Sequence, residues 1–315
     1  MTKTALVTGA TGFIGTHLVR FLLTKGWSVV GTYGALDVTP PNRLPNLQLV
    51  QCDLRDCLRV KQLFDKSTFS HVFHLGAQSL PVLSWKDPVS TFESNIMGSL
   101  NLFEAIRPIR CPPVVVSACS GAEYGDVPRA ATPVTENHRL SPVHPYGISK
   151  MCVDRLAQVY SRNYHIPTVT IRLFNTTGPG KTNDAPSDFV RQLIRIKKGL
   201  QEPAIEVGNL KPRRAFLDVN DAVSGFYLAA LRAKRGQVYN LCADKTYQIA
   251  QVLRAAIDLS SVAVRIQPSS RLMRALDEKI IFGSTRKFRR DTGWKPRKTL
   301  DQTLAAMFEY WERVA

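Results

Sequence analysis

The chain has 315 residues, 44% hydrophobic and 21% charged, with 42 Lys and Arg against 25 Asp and Glu, a formal charge of +17. That composition excludes a mostly disordered chain, a collagen-like fibre and a disulfide-stapled miniature, and it suits one large or two modest domains. The excess positive charge asks for an anionic partner: nucleic acid, a membrane surface or anionic small ligands.

In chain order, apolar runs predict strands at Thr4–Thr8, Ser28–Thr32, Leu47–Cys52, His71–Leu75, Pro113–Ser117 and Thr168–Leu173. Amphipathic stretches predict helices between them, at Phe13–Lys25, Asp87–Ile106 and Tyr146–Asn163. This alternation predicts an α/β fold: a Rossmann-type, doubly wound parallel sheet with helices on both faces. After Phe174 the rhythm changes. A Gly/Pro/Asn/Asp-rich stretch, Asn175–Pro186, leads to a basic helix near Phe189–Lys198 and then to shorter mixed elements. The expected division is a dinucleotide-binding domain of residues 1–174 plus about 215–242. A smaller mixed α/β substrate domain takes about 175–214 plus 243–315. No apolar run reaches the roughly 18 residues of a membrane span. The N-terminal apolar run passes straight into glycines, leaving no room for a secretory signal. The cysteines (Cys52, Cys57, Cys111, Cys119, Cys152 and Cys242) show no framework spacing. Reduced thiols in a cytoplasmic protein are expected.

The first strand runs into Gly9-Ala10-Thr11-Gly12-Phe13-Ile14-Gly15 and then a helix. Glycines here permit a tight turn, close approach of backbone to a pyrophosphate and tight helix–strand packing, and the helix N-terminus attracts the phosphates. Strand, triplet and helix in that order predict a dinucleotide site. An NAD site usually has Asp or Glu ending the second strand, but here it ends Val30-Gly31-Thr32-Tyr33-Gly34, and Asp37 comes late in a Pro-rich loop. Without that carboxylate a 2′-phosphate is not repelled, and Arg43 or Arg55 can neutralise it. NADP(H) is therefore favoured, with NAD(H) left open. Asp53, in Cys52-Asp53-Leu54, reads either as meeting the adenine edge or as a loop cap.

Tyr146-Gly147-Ile148-Ser149-Lys150 opens a helix, and the four-residue spacing puts phenol and ammonium on one face. Lys150 is then expected to lower the Tyr146 pKa and let the phenol exchange a proton near neutral pH.

These motifs are joined by His74-Leu75-Gly76-Ala77-Gln78-Ser79, Asn95-Ile96-Met97-Gly98, Ser120 with Tyr124-Gly125, and Arg172-Leu173-Phe174-Asn175. Together they resemble the extended short-chain dehydrogenase/reductases of the nucleotide-sugar epimerase/dehydratase type over nearly the whole chain. The resemblance implies that Ser120 joins Tyr146 and Lys150 in catalysis and hydrogen-bonds the reacting sugar oxygen. It implies that Leu75, Gly76 and Ala77 pass beneath the cofactor and that Asn95 braces the helix carrying the lysine. Gln78, Ser79, Asn175 and Glu136 would face substrate, and the protein would be a homodimer.

The 4,6-dehydratases of this family place a carboxylate base two residues after the catalytic Ser/Thr. Here Gly121 and Ala122 follow Ser120, and Glu123 is one position out of register. Asn175-Thr176-Thr177-Gly178-Pro179-Gly180, Ser187–Gln192, Gly208–Phe216 and Gly293-Trp294-Lys295-Pro296 look most like GDP-4-keto-6-deoxy-mannose reductases, although Ala215 stands where an Asp is usual. The implied reaction is hydride transfer from NADP(H) to C4 of a 4-keto-6-deoxy nucleotide sugar, GDP-linked by preference. Alternatives are a C4 epimerase, a GDP-mannose 4,6-dehydratase-like enzyme and, from another class, a non-catalytic RNA-binding relative. Arg191, Arg214 and Arg274 read either as diphosphate ligands or as solvated charges.

Gly180-Lys181-Thr182 imitates the end of a phosphate loop, but Pro179 and the Gly/Asn/Pro-rich loop that follows exclude one. His71 and His74 lie on opposite faces of a strand, which suits packing, and no His/Cys/carboxylate cluster has metal spacing. Residues 191–214 carry a net charge of +5, from seven Lys and Arg against Glu202 and Glu206. A phosphate-bearing ligand there accounts for part of the excess and weakens the nucleic-acid reading, while the surplus at Arg286–Arg290 and Lys295–Lys298 carries no functional claim.

Overall fold

The apolar runs pair as seven parallel strands in the computed structural model, which describes residues 3–34, 44–273 and 280–314. They are β1 (Thr4–Thr8), β2 (Ser28–Tyr33), β3 (Leu47–Gln51), β4 (His71–His74), β5 (Val114–Ser120), β6 (Thr168–Leu173) and a last strand, Gln237–Leu241. Across the sheet the order is Gln237–Leu241, β6, β5, β4, β1, β2, β3. Every neighbouring pair is parallel. The fold is therefore the expected Rossmann-type doubly wound sheet. Strand order reverses between β1 and β4, and their carboxyl ends, at Thr8 and His74, open the crevice where such sheets bind ligands.

The helices are α1 (Phe13–Thr24), α2 (Cys57–Lys66), α3 (Pro81–Lys86), α4 (Pro88–Phe92), α5 (Gly98–Ile106), α6 (Pro145–Tyr164), α7 (Ala185–Lys197) and α8 (Val219–Arg232), followed by Ile249–Ser260, Arg286–Thr292 and Leu300–Val314. Leu18, Val19 and Leu22 of α1 and Phe226 and Ala229 of α8 cover one face of the sheet. Val60, Leu102, Phe103, Ala157 and Tyr160 cover the other. A separate apolar cluster joins α7, Ile205 and Val207 to the Ile249–Ser260 and Leu300–Val314 helices.

Two expectations change. The helix foreseen over Asp87–Ile106 contains a wide π turn at Glu93–Met97 between α4 and α5. Residues 286–294 pack with the sheet rather than with the second cluster, because Phe288 and Trp294 bury their rings among Tyr239, Phe226 and Leu241. Arg274, Asp37 and Arg43 lie outside the described residues. No helix among the described residues is long and apolar enough to cross a membrane.

Candidate active site

The glycine loop ends β1 and is shaped by contacts that leave no room for side chains. Gly9 has φ +67°, and a Cβ there would lie 2.9 Å from the Gly76 Cα. A Cβ on Gly15 would lie 2.0 Å from the Gly9 carbonyl oxygen. Helix α1 starts after Gly12 with no side-chain cap and no acid in its first turn, so its positive end is offered to an anion. Phe13 stacks edge-on against His17, and Lys181 lies over its ring. The Ala10 N–H donates to the Thr32 carbonyl at 2.8 Å, tying the loop to the end of β2. This cradle fits a dinucleotide pyrophosphate.

Leu54 is wedged beneath the second loop: a Cβ on Gly76 would meet its Cδ1 at 2.9 Å, and one on Gly98 its Cβ at 3.0 Å. Asp53 is a loop cap. Its Oδ1 accepts the Arg55 N–H at 2.9 Å, and its Oδ2 accepts from Arg55 Nη2 at 2.6 Å. Those hydrogen bonds hold the Asp53 carboxyl below the usual range. Both residues border an open groove of about 780 Å³ beside the end of β3, with Arg59 and Glu93.

A directed hydrogen-bond chain links the loop after β4 to the catalytic helix. Thr8 Oγ1 accepts from the Leu75 and Gly76 N–H groups at 3.1 and 2.9 Å, so its own proton goes to His74 Nδ1, 2.9 Å away. Ser99 donates to the Asn95 carbonyl at 2.5 Å and accepts from His74 Nε2 at 2.8 Å. His74 is thereby held as the neutral Nε2–H tautomer. Burial, aided by the Lys150 charge, pushes its pKa down to about 3. Asn95 is fully buried; its Nδ2 donates to Ser149 Oγ at 2.9 Å, and Ser149 donates to the Tyr146 carbonyl at 2.8 Å. Sequence reasoning read His74 as packing; only Thr8 and Ser99, distant in sequence, reveal it as a connector.

Ser120, Tyr146 and Lys150 converge at the carboxyl end of β5. This strand runs three residues further than expected, to Ser120, by pairing Ala118, Cys119 and Ser120 with Ile171, Arg172 and Leu173. Helix α6 begins with His144 as N-cap, its Nδ1 accepting the Gly147 N–H at 2.9 Å, and with Pro145 in the first turn. Gly147 is pressed against Ala122, where a Cβ would lie 2.8 Å from the carbonyl oxygen. This packing sets the Tyr146 phenol against Ser120. Burial pushes the phenol up to about 12, only partly offset by its hydrogen bond with Ser120. The expected lowering by Lys150 is not found. The ammonium is buried, its pKa lowered by that burial, and it donates to the Ala118 carbonyl at 2.9 Å. Tyr146 is thus a neutral acid at ordinary pH, ready to give a proton.

Glu123 is fully buried and turned into the protein. Its Oε1 accepts the Ser120 N–H at 2.8 Å, and Oε2 lies 3.4 Å from Arg172 Nε. Arg172 itself donates through Nε and Nη2 to Asp154 Oδ2 at 3.0 and 2.6 Å, and through Nη1 to Tyr124 Oη and the Glu136 carbonyl. This buried cluster lies directly behind Ser120. Its signal in the sequence was Glu123 itself, an acid where the dehydratase register fails.

The expected substrate residues divide. Asn175 Nδ2 is buried without a hydrogen-bond partner. Gln78 bonds the Leu80 backbone and Thr91 Oγ1 within its own loop. Ser79 is exposed beside it. Glu136 accepts the Asn240 N–H at 2.8 Å, while the buried Arg214 donates to the Arg213 carbonyl. Arg191 lies over the Trp311 ring at 5.1 Å and borders a groove of about 450 Å³. There Arg191, Arg195 and Arg271 face Asp188, Glu202 and Glu206, so this groove is balanced in charge rather than an anion well. No group of His, Cys, Asp and Glu among the described residues could hold a metal ion.

Comparison with known proteins agrees with this geometry. The profile described as GDP-mannose 4,6 dehydratase matches residues 6–307. The chain is 30% identical to GDP-6-deoxy-D-mannose reductase of Pseudomonas aeruginosa over 99% of its own length and 98% of the relative's. The solved structure of RMD from P. aeruginosa complexed with NADPH superposes with a TM-score of 0.87 at 29% identity, covering 100% of both chains. The UDP-glucose 4-epimerase of Thermus thermophilus in complex with NAD gives 0.87 at 27% identity, covering 98% of each. With the cradle, the serine–tyrosine–lysine group and a profile match over nearly its whole length, the chain belongs to the GDP-mannose 4,6-dehydratase family of extended short-chain dehydrogenase/reductases.

Proposed function

We propose that the protein is an NADP(H)-dependent reductase of a 4-keto-6-deoxy nucleotide sugar, of the GDP-4-keto-6-deoxy-mannose type. The observation that carries this reading is that Tyr146, a neutral proton donor, contacts Ser120, while the nearby carboxyl of Glu123, the acid nearest the dehydratase register, is turned inward. Elimination needs a base at the sugar C5, whereas ketone reduction needs only a proton donor and a hydride. When bound, the reduced nicotinamide supplies the hydride. Ser120 Oγ orients the carbonyl, Tyr146 gives its proton to the forming alkoxide, and Lys150 holds the resulting phenolate charge.

Gly9, Thr11, Gly12, Phe13, Ile14 and Gly15 would cradle the pyrophosphate. Thr32, Asp53 and Leu54 would flank the adenosine, and Leu75, Gly76, Ala77, Asn95 and Lys150 the nicotinamide side. Asn175 and Arg214 would meet the nucleotide sugar. The likeness to the Pseudomonas reductase and its NADPH complex supports the GDP-sugar and NADP(H) assignments. The family also includes enzymes that keep NAD, so cofactor content separates the two modes. A reductase exchanges its cofactor each turn, and the purified protein is expected to carry little; stoichiometric tightly held NAD would favour C4 epimerisation instead.

A homodimer belongs to the same proposal. Val82, Trp85, Val89, Met97, Ile148 and Val159 are exposed apolar side chains on α3, α4, the π turn and α6. Sedimentation of the same sample as a monomer would remove the dimer.

A further inference from the structure

The cluster behind Ser120 holds two buried carboxylates and only one guanidinium, and the guanidinium is committed. Arg172 donates through Nε and Nη2 to Asp154 and through Nη1 to Tyr124 and Glu136. Glu123 accepts one hydrogen bond, the Ser120 N–H on Oε1; its Oε2 is buried without one and only approaches Arg172 Nε, at 3.4 Å, whose hydrogen goes to Asp154. Oε2 and Asp154 Oδ2 crowd the same Arg172 Nε–H, at 3.4 and 3.0 Å, so two buried acceptors are brought together, a contact that only a proton makes attractive.

We propose that Glu123 is a positioning residue for Ser120, held as a neutral carboxylic acid that donates from Oε2 to Asp154 while Oε1 fixes the Ser120 backbone. Loss of that proton leaves two carboxylates repelling each other in the interior and drags on the peptide that aims the Ser120 hydroxyl.

The groups facing Glu123 are consistent with this. From β5 comes Cys119, from β6 Arg172, and from α6 Asp154, Lys150, Tyr146 and Cys152. Burial, and then the Asp154 charge, push the Glu123 carboxyl up to about 8, against the pull of Arg172. A negative Glu123 also raises the Tyr146 pKa and favours the charged form of Lys150, so its ionisation is felt by two catalytic side chains. The one-residue displacement from the dehydratase register thus does more than remove a base. It converts the acid into a clamp on the serine.

The inference rests on the reductase reading, and two measurements separate them. The first is the pH dependence of kcat/KM for ketone reduction. Wild type is expected to lose activity above about pH 8, with the fall in kcat rather than KM. Glu123→Gln, whose amide can donate to Asp154 and accept from Ser120, lacks that alkaline limb. Glu123→Ala, which leaves both partners unsatisfied, loses about tenfold in kcat near neutrality, and Gln at the same position restores most of it.

The second measurement needs no turnover. A carboxyl whose folded pKa is raised binds its proton more tightly in the folded state, so its contribution is present below the unfolded pKa and lost as pH rises through the folded one. The Tm of wild type relative to Glu123→Gln should therefore fall between about pH 4.5 and pH 8 and level off above. A Tm difference that is flat across that window overturns the proposal whatever the enzyme reduces. Superimposable alkaline limbs in wild type and Glu123→Gln overturn the positioning role. A falling Tm difference with no ketone reduced by any variant overturns the reductase reading and, with it, the link to Ser120 catalysis.

Discussion

Replacing Tyr146 with Phe should lower kcat for ketone reduction by about 10²–10⁴-fold while leaving NADPH affinity within about threefold, because a positioned acid contributes a factor of that size. The phenol is the only group of the constellation that is both neutral at ordinary pH and in contact with Ser120. Phe keeps the ring, and the Asn95–Ser149 bridge ends on the Tyr146 backbone carbonyl, so the helix is held as before. The loss is therefore specific to the proton. Pre-steady-state NADPH oxidation, with binding measured separately by fluorescence, checks it. Equal oxidation rates in the two proteins would remove Tyr146 as the donor. Burial holds the phenol near 12, so no acceleration by Tyr146 ionisation is expected between pH 6 and 9.

The second large effect concerns stability. Arg172→Met should cost about 3–5 kcal/mol, since removing one partner strands a buried charge. Arg172 and Asp154 are almost wholly buried and joined by two charge-assisted hydrogen bonds, and Tyr124 and the Glu136 carbonyl lose a donor as well. Adding Asp154→Leu to Arg172→Met should recover much of the loss, because the stranded carboxylate is then gone. Urea unfolding reads both variants. A single variant within about 0.5 kcal/mol of wild type would show that the cluster is not a structural keystone.

The parallel sheet was legible because its strands are short apolar runs separated by helix-length amphipathic segments, a pattern carried locally. β5 was read as ending too early: Ala118, Cys119 and Ser120 lack β-branched side chains and are strand only because β6 pairs with them. The π turn around Asn95 has no periodic signature of its own. The glycine cradle and the Tyr146–Lys150 pair were legible because each is set by spacing within one turn or helix, whereas Ser120, on β5, came only from the family resemblance. The bonds of the Gln78 amide to Leu80 and Thr91, which close its own loop, had no signature in the sequence. Glu123, His74 and Arg172 acquire their roles from partners tens of residues away, which spacing cannot supply. The Tyr146 pKa moves opposite to the expected direction, because a sequence shows the neighbouring ammonium but not the burial that raises the phenol.

The net charge was the least informative feature. In the groove beside α7 the basic residues face as many acids, and Lys197 is paired with Glu312. The phosphate-bearing ligand proposed for this enzyme meets specific donors rather than a basic field.

The most direct test of the central claim follows NADPH oxidation on mixing the purified protein with GDP-4-keto-6-deoxy-mannose and, in parallel, with GDP-mannose. The account predicts one NADPH oxidised per ketone consumed in the first mixture and no elimination product in the second. Formation of the 4-keto-6-deoxy sugar from GDP-mannose, with no NADPH oxidised in the first mixture, would contradict it.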